Sequence, residues 1–213
     1  MYCTNDWVLA SNNAGKLREF NQLLAPLAIN IQPQAELDVP DAIEDGLSFI
    51  ENALIKARHA ARLTGLPALA DDSGLEVDAL HGAPGIYSAR YASMAGGVKS
   101  DLANMDKLLA DLKDVPTALR TARFHCVLAF MRHAEDPTPI VIQGTWEGTL
   151  LEAPAGDDGF GYDPIFWVAS HQCSSAQLTK AEKNRLSHRG QAVSAFSQRM
   201  ALLLGPNSVQ AGR

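Results

Sequence analysis

Apolar positions recur along this chain with two periods, one suited to strands and one to helices. Trp7-Val8-Leu9-Ala10 is a compact apolar run and reads as a buried strand. Behind the polar segment Ser11-Asn12-Asn13-Ala14-Gly15-Lys16, a helical period puts Leu17, Phe20, Leu23 and Leu24 on one face. Ile29-Asn30-Ile31 suggests a second strand, followed by a loop carrying Glu36, Asp38, Asp41, Glu44 and Asp45. Over residues 46–64, Phe49, Ala53, Ala57 and Ala60 trace the buried stripe of a helix. Ser48 and Glu51 have capping-box spacing at its start, and Gly65-Leu66-Pro67 ends it. Residues 66–70 form a short apolar strand that ends in Asp71-Asp72-Ser73-Gly74.

Beyond a loop at Gly96-Gly97, a helix is expected over residues 101–112, and residues 121–131 are the best candidate for a central strand. After a turn at 134–139, residues 139–143 and 145–150 return as one long strand bent around Gly144, so His125 is expected to pack in or beside this hairpin. A hairpin among strand–helix units makes the sheet mixed, and the fold class is α/β. Residues 155–166 form a glycine-rich loop. Thr179 and Glu182 again have capping-box spacing, opening a short helix over 180–185 that carries Lys183. Ser187-His188-Arg189-Gly190 then leads into a last helix, 191–204, with Val193, Phe196, Met200 and Leu203 at helical spacing; residues 205–213 read as a frayed tail. No repeat or linker divides the 213 residues, so a single domain is expected.

Charge and cysteine usage narrow the function. A net charge of −6 argues against a general nucleic-acid binder, while leaving room for a local basic pocket. Cys3, Cys126 and Cys173 are odd in number and widely spaced, giving neither a disulfide framework nor a zinc spacing, as expected in a reducing compartment. The first residues lack the basic start of a signal peptide and no apolar run is long enough for a bilayer, so a cytoplasmic protein without a membrane partner is expected.

The segment from Ala68 to Tyr91 concentrates the candidate chemistry. Two carboxylates, a hydroxyl and a glycine at the end of a buried strand deliver charge to the sheet rim, where open α/β folds bind ligands. A metal or phosphate site is one reading; an N-capped turn is the other, and it accounts for only one or two of these residues. Strand, polar loop with glycine and lysine, then helix is also how phosphate is held, although 11–16 lacks the Walker A spacing and a plain turn with a surface lysine stays open. Asn52 and Lys56 lie one helical turn apart on the same side, and Lys56 is either solvated or turned toward a site. In the 155–166 loop, Phe160 or Tyr162 could stack on a planar ring while Gly159 and Gly161 allow close approach; the alternative tucks Phe160 into the core.

Taken in order, Ser11–Lys16, Ser48-Phe49-Ile50-Glu51-Asn52-Ala53, Ala70-Asp71-Asp72-Ser73-Gly74-Leu75, Gly82-Ala83-Pro84-Gly85-Ile86-Tyr87-Ser88-Ala89-Arg90-Tyr91, Gly159-Phe160-Gly161-Tyr162-Asp163-Pro164 and Ser187-His188-Arg189-Gly190 resemble the inosine triphosphate pyrophosphatase family, and within it the bacterial dITP/XTP pyrophosphatases. The resemblance runs over residues 7–204. It implies an elongated mixed sheet flanked by helices in two lobes, with the nucleotide in the cleft between them. It also implies a homodimer, Mg²⁺ dependence, and hydrolysis of non-standard purine nucleoside triphosphates to monophosphate and pyrophosphate.

By that resemblance Ser11, Asn12, Asn13, Ala14, Gly15 and Lys16 would form the triphosphate loop, with Lys16 on the phosphates. Glu44 and Asp72 would hold the metal, Asp72 would accept the proton, and Ser73 would touch substrate. Phe160, Gly161, Tyr162 and Asp163 would cradle the base, Lys183 would reach the nucleotide, and His188 with Arg189 would read the purine edge. Two positions depart from the pattern: Ser11 stands where threonine is usual, preserving the hydroxyl, and Asn12 replaces a frequent glycine. From the residues alone, the proton acceptor stays open between Asp72 and Asp71. Lys56 is an added candidate for positioning phosphate or water.

Hypoxanthine and xanthine present an acceptor oxygen at position 6 where adenine presents an amino group. Donors at His188 and Arg189 would therefore pair with the former and not the latter. The expected role is sanitation of the nucleotide pool. A pyrophosphatase for other modified triphosphates and a non-catalytic nucleotide-binding module are the alternatives; a module of the second kind has no need of Glu44, Asp72, Lys16 and Lys183 together.

Overall fold

The structure is a computed structural model and describes residues 5–204; the expected tail at 205–213 and Cys3 lie outside the described residues, as does the side chain of Leu23. The elements run β1 (Asp6–Leu9), α1 (Ala14–Leu24), β2 (Asn30–Pro33), α2 (Phe49–Thr64), β3 (Ala68–Val77), β4 (Pro84–Gly85), α3 (Tyr91–Met94), α4 (Asp101–Asp111), β5 (Thr121–Met131), β6 (Ile140–Leu150), β7 (Phe166–Val168), β8 (Cys173–Ser174), α5 (Lys180–Leu186) and α6 (His188–Leu204). The strands hydrogen-bond in the order β2-β1-β3-β5-β6-β7-β8, with β4 on β3. β1 is parallel to both β2 and β3, whereas β6, β7 and β8 pair antiparallel, so the expected mixed α/β sheet is present and β5 is a central strand. No described helix is long and apolar enough to cross a membrane.

Two compact units divide the chain. Among the described residues the first comprises 5–72, 127–143 and 191–204, the second 73–126 and 144–190. The first unit is centred on Trp7, whose ring centroid lies 4.3 Å from that of Phe130 and 6.5 Å from that of Phe196. Phe20 and Leu24 of α1 and the small stripe Ala53, Ala57, Ala60 and Ala61 of α2 are buried with them. The second has its own core of Leu75, Val77, Leu108, Phe124, Trp146, Tyr162 and Phe166, with Phe124 and Phe166 centroids 4.6 Å apart.

Several boundaries differ from the sequence expectation, each for a local reason. α1 begins at Ala14 rather than after Lys16, because Asn13 caps it: its Oδ1 accepts from the N–H groups of Gly15 and Lys16 at 2.8 and 3.1 Å. Strand β2 is displaced toward Pro33, and a 3-10 turn at Gln34–Leu37 occupies part of the acidic loop. β6 runs through Gly144 as one strand. α6 starts at His188, three residues before the expected Gln191, and Leu203 is exposed rather than on the buried stripe. Gly190 permits the tight α5–α6 corner: a Cβ there would collide with the Asn184 carbonyl.

The largest correction concerns Asp71-Asp72-Ser73-Gly74. These residues do not end a strand; they lie within β3, which continues to Val77. The sequence signal misled because two consecutive carboxylates normally mark a rim. Here each has an ion-pair partner, so the strand carries them inside the sheet.

Candidate active site

The first unit's topology explains where charge gathers. From β1 the chain crosses to β2 on one side and then to β3 on the other, so β1 sits at a point where strand order reverses. Right-handed crossovers in opposite directions put α1 and α2 on opposite faces of the sheet, and ligands of open α/β sheets bind beyond the carboxyl ends of strands at such a point. The segment Ser11–Asn13 leaves β1 there. Its geometry is ordered by its own side chains: Asn13 N–H donates to Ser11 Oγ at 3.2 Å, and Asn12 Oδ1 accepts from Ala35 N–H at 3.1 Å. Asn12, Asn13, Ala14 and Gly15 are all exposed.

Consecutive strand residues face opposite sides, and Asp71 and Asp72 accordingly pair with lysines from different helices. Asp71, 2% exposed, forms an ion pair with Lys16 of α1 at 2.8 Å. Asp72 accepts from Lys56 of α2 at 2.7 Å, and the same ammonium lies 3.4 Å from Glu44 Oε2. Lys56 is therefore not a solvated helix lysine. The loop bearing Glu44 is held on α2: Gly46 N–H donates to Asn52 Oδ1 at 3.0 Å, and Leu47 N–H to Glu51 Oε2 at 2.9 Å.

Burial pushes Asp72 above the usual aspartate range; Lys56 opposes this by its charge and hydrogen bond, while Glu44 and Asp71 add repulsion. For Lys56, burial alone would lower the pKa, but Asp72, Asp71 and Glu44 together raise it. The lysine is thus firmly charged and the carboxylate beside it is more basic than an exposed one.

Glu44 and Asp72 direct carboxylate oxygens at one ammonium, so a second cation of hard-oxygen preference has donors of suitable type here. Mg²⁺ takes one or two carboxylates and fills its shell with water and phosphate. Among the described residues no group of three or more His, Cys, Asp or Glu side chains gathers as a metal cage. A two-acid Mg²⁺ site completed by substrate fits this donor set.

The second unit holds the other candidates. Ser73 is half-buried on β3. Phe160 is 61% exposed, so it is not tucked into the core. Lys183 Nζ lies 4.9 Å and Arg189 Cζ 5.9 Å from its ring centroid, both as cation–π neighbours. Tyr162, expected as a base contact, is buried and donates its hydroxyl to the Ser88 carbonyl at 2.8 Å; it belongs to the core. Asp163 is also buried and pairs with Lys183. Gly161, at a left-handed φ of 61°, donates its N–H to Asp101 Oδ2 at 2.9 Å. His188 is mostly buried, its ring stacked on Phe124 with centroids 4.9 Å apart. His125 lies beside the β5–β6 hairpin as expected, with its Nε2 3.0 Å from Glu76 Oε2.

Sequence reading missed Ser175 and Asp101, which hold this loop from beneath. The only trace of the former was the Ser174…Gln177 spacing, realised as a capping box. Asp71, read as a possible cap or proton acceptor, is buried and ion-paired with Lys16.

A mixed α/β sheet with two lysine–carboxylate pairs at its switch point is the architecture of an enzyme for anionic, phosphate-bearing substrates. The chain belongs to the Ham1 family, whose model matches residues 7–199. It is 60% identical over 186 residues to the dITP/XTP pyrophosphatase of Vibrio cholerae, covering 87% of this chain and 92% of that one. The Ralstonia nicotianae dITP/XTP pyrophosphatase is 56% identical over 195 residues, 92% of this chain and 96% of that one. Among solved structures, a HAM1 protein from Coxiella burnetii superposes with a TM-score of 0.88 at 49% identity, over 92% of this chain and 98% of that one.

Proposed function

We propose that this protein hydrolyses non-standard purine nucleoside triphosphates, dITP, ITP, XTP and dXTP, to the monophosphate and pyrophosphate, clearing them from the nucleotide pool. The observation that carries the reading is the paired set Lys16–Asp71 and Lys56–Asp72 with Glu44. Two lysines at a sheet switch point suit a triphosphate, and a half-buried carboxylate of raised basicity suits activation of water. The names of relatives at 56–60% identity, dITP/XTP pyrophosphatases, support the substrate class.

Lys16 holds phosphate, reducing the repulsion between the triphosphate and its attacking water. Water attacks the α-phosphorus and forms a new P–O bond. The bond from that phosphorus to the oxygen bridging the β-phosphorus breaks, its electron pair leaving with pyrophosphate. Asp72 takes the water proton; Asp71, more deeply buried and held by Lys16, is less suited to that task. Lys56 orients Asp72 and Glu44. Glu44 and Asp72 would hold Mg²⁺, which would supply charge neutralisation at the phosphates.

On the base side, Phe160 offers a ring for stacking, and His188 and Arg189 offer donors for the purine 6-oxygen. Lys183, which lies beside Phe160, would reach the nucleotide. Tyr162 and Asp163 support this loop from within and do not cradle the base directly. The same reading takes the working enzyme to be a cytoplasmic homodimer acting as one functional domain, on family resemblance, with no nucleic-acid or membrane partner. Incubation with ITP and Mg²⁺ tests the reading: IMP with pyrophosphate supports it, whereas release of single phosphate contradicts it.

A further inference from the structure

Phe160 is exposed, yet its backbone is held by two carboxylates. Its own N–H donates to Asp163 Oδ2 at 2.8 Å, and the next N–H, that of Gly161, donates to Asp101 Oδ2 at 2.9 Å. Lys183 donates to the same Asp163 oxygen while its ammonium stands 4.9 Å from the Phe160 ring centroid. One carboxylate therefore fixes both the ring and the cation beside it. The backbone around it has little freedom: a Cβ on Gly159, at a φ of 91°, would collide with Asp163.

The second oxygen of Asp163 is engaged by Ser175, whose Oγ donates to Oδ1 at 2.8 Å. Ser175 is 1% exposed and Asp163 3%, so neither presents itself to a ligand in solvent. Ser175 opens the turn Ser175–Gln177, and the preceding Ser174 donates its hydroxyl to the Ala155 carbonyl, tying that turn to the start of the glycine-rich loop. A buried carboxylate oxygen without a donor is costly, and the group answers by rotating toward another partner. That rotation would release Phe160 N–H and Lys183 from their shared anchor.

We propose that Ser175 is a positioning residue for base recognition, fixing Asp163 and through it the angle at which Phe160 and Lys183 meet the substrate. This rests on the reading of the Phe160 loop as the base site. Ser175 touches no substrate, and its effect falls on binding rather than on phosphoryl chemistry.

The test is a double-mutant cycle in the Mg²⁺-loaded enzyme with ITP. Ser175→Ala should raise KM by about tenfold, the scale of one hydrogen bond to a charged group, and leave kcat within about twofold. Ser175→Thr, which keeps the hydroxyl, should restore KM. In a Phe160→Ala background the same alanine change should raise KM by clearly less than it does in wild type, because part of its effect passes through that ring and only the part carried by Lys183 is left. An unchanged KM in Ser175→Ala overturns the proposal, as does a loss of kcat at constant KM or a full additive effect in the Phe160→Ala background. Should the alanine protein not fold, Ser175→Cys, close in shape with a weaker donor, must show the same KM rise at smaller size; wild-type KM in that variant overturns the proposal equally. If wild type hydrolyses ITP but Phe160→Ala leaves KM unchanged, the base-site reading itself has failed and the proposal falls with it. If Phe160→Ala raises KM and Ser175→Ala does not, only the role of Ser175 is lost.

Discussion

Lys56 and Asp72 share a 2.7 Å hydrogen bond, yet both titrate above their ordinary values. A simple ion pair would raise the lysine and lower the aspartate. Asp72 departs from that pattern because burial and the nearby charges of Glu44 and Asp71 outweigh the one lysine. The pair is thus poised with a firmly charged cation next to a carboxylate able to accept a proton.

Replacing Asp72 with Asn keeps the shape but removes both proton acceptance and a strong metal donor. We expect kcat for ITP to fall by at least about 100-fold, the lower end of general-base contributions, with an unchanged circular dichroism spectrum. Activity within about tenfold of wild type, a barrier change near 1.4 kcal/mol, would remove Asp72 from the chemistry and favour Asp71.

Lys16→Met tests whether Lys16 has a structural duty besides its proposed phosphate role. It deletes the ion pair of the buried Asp71 carboxylate. Removing one partner of a buried pair destabilises by up to 3–5 kcal/mol; with Lys16 partly exposed, a loss on the order of 1–3 kcal/mol is expected. Denaturant unfolding measures it. The double variant with Asp71→Asn should regain stability without regaining activity; a single variant as stable as wild type contradicts the account.

Asp78 gives a pH prediction away from the site. Hydrogen bonds from Arg123, and next from Thr121, hold its pKa down to about 2. A depressed carboxylate contributes stability above its unfolded pKa and loses it as pH falls through the folded one, here between roughly pH 4 and pH 2. In Arg123→Ala the Asp78 resonance should titrate near the ordinary aspartate value, and that part of the acid dependence should vanish. An unshifted titration would mean that Arg123 is not the cause. Asp78 is largely exposed, so the effect on total stability is small.

The proposed base selectivity is tested at Arg189, whose guanidinium stands near Phe160. Arg189→Ala should depress kcat/KM for ITP by about 1–3 kcal/mol, the scale of a polar group left unpaired, and change the poor turnover of ATP far less. An unchanged ITP-to-ATP ratio would assign Arg189 to the phosphates.

Much of this was legible in the chain because local chemistry and tertiary structure agree. The stripe Phe49, Ala53, Ala57 and Ala60, the caps at Ser48 and Thr179, and the central strand at residues 121–131 stand where the pattern puts them. The pattern failed where long-range partners decide. Asp71 and Asp72 read as a strand's end because no local signal announces that Lys16 and Lys56, from two other elements, neutralise them within β3. Tyr162 read as a ring available for stacking because sequence does not disclose the Ser88 carbonyl that draws its hydroxyl inward. Ser175 carried no motif of its own; its significance appears only once Asp163 is placed against it.

The central claim is attack by water at the α-phosphorus of a non-standard purine triphosphate. A single turnover with ITP and Mg²⁺ in ¹⁸O-labelled water tests it most directly, with both products analysed by mass spectrometry. The account predicts one labelled oxygen in IMP and none in pyrophosphate. Label in pyrophosphate would place the attack at the β-phosphorus, and labelled single phosphate would place it at the γ-phosphorus; either result would contradict it.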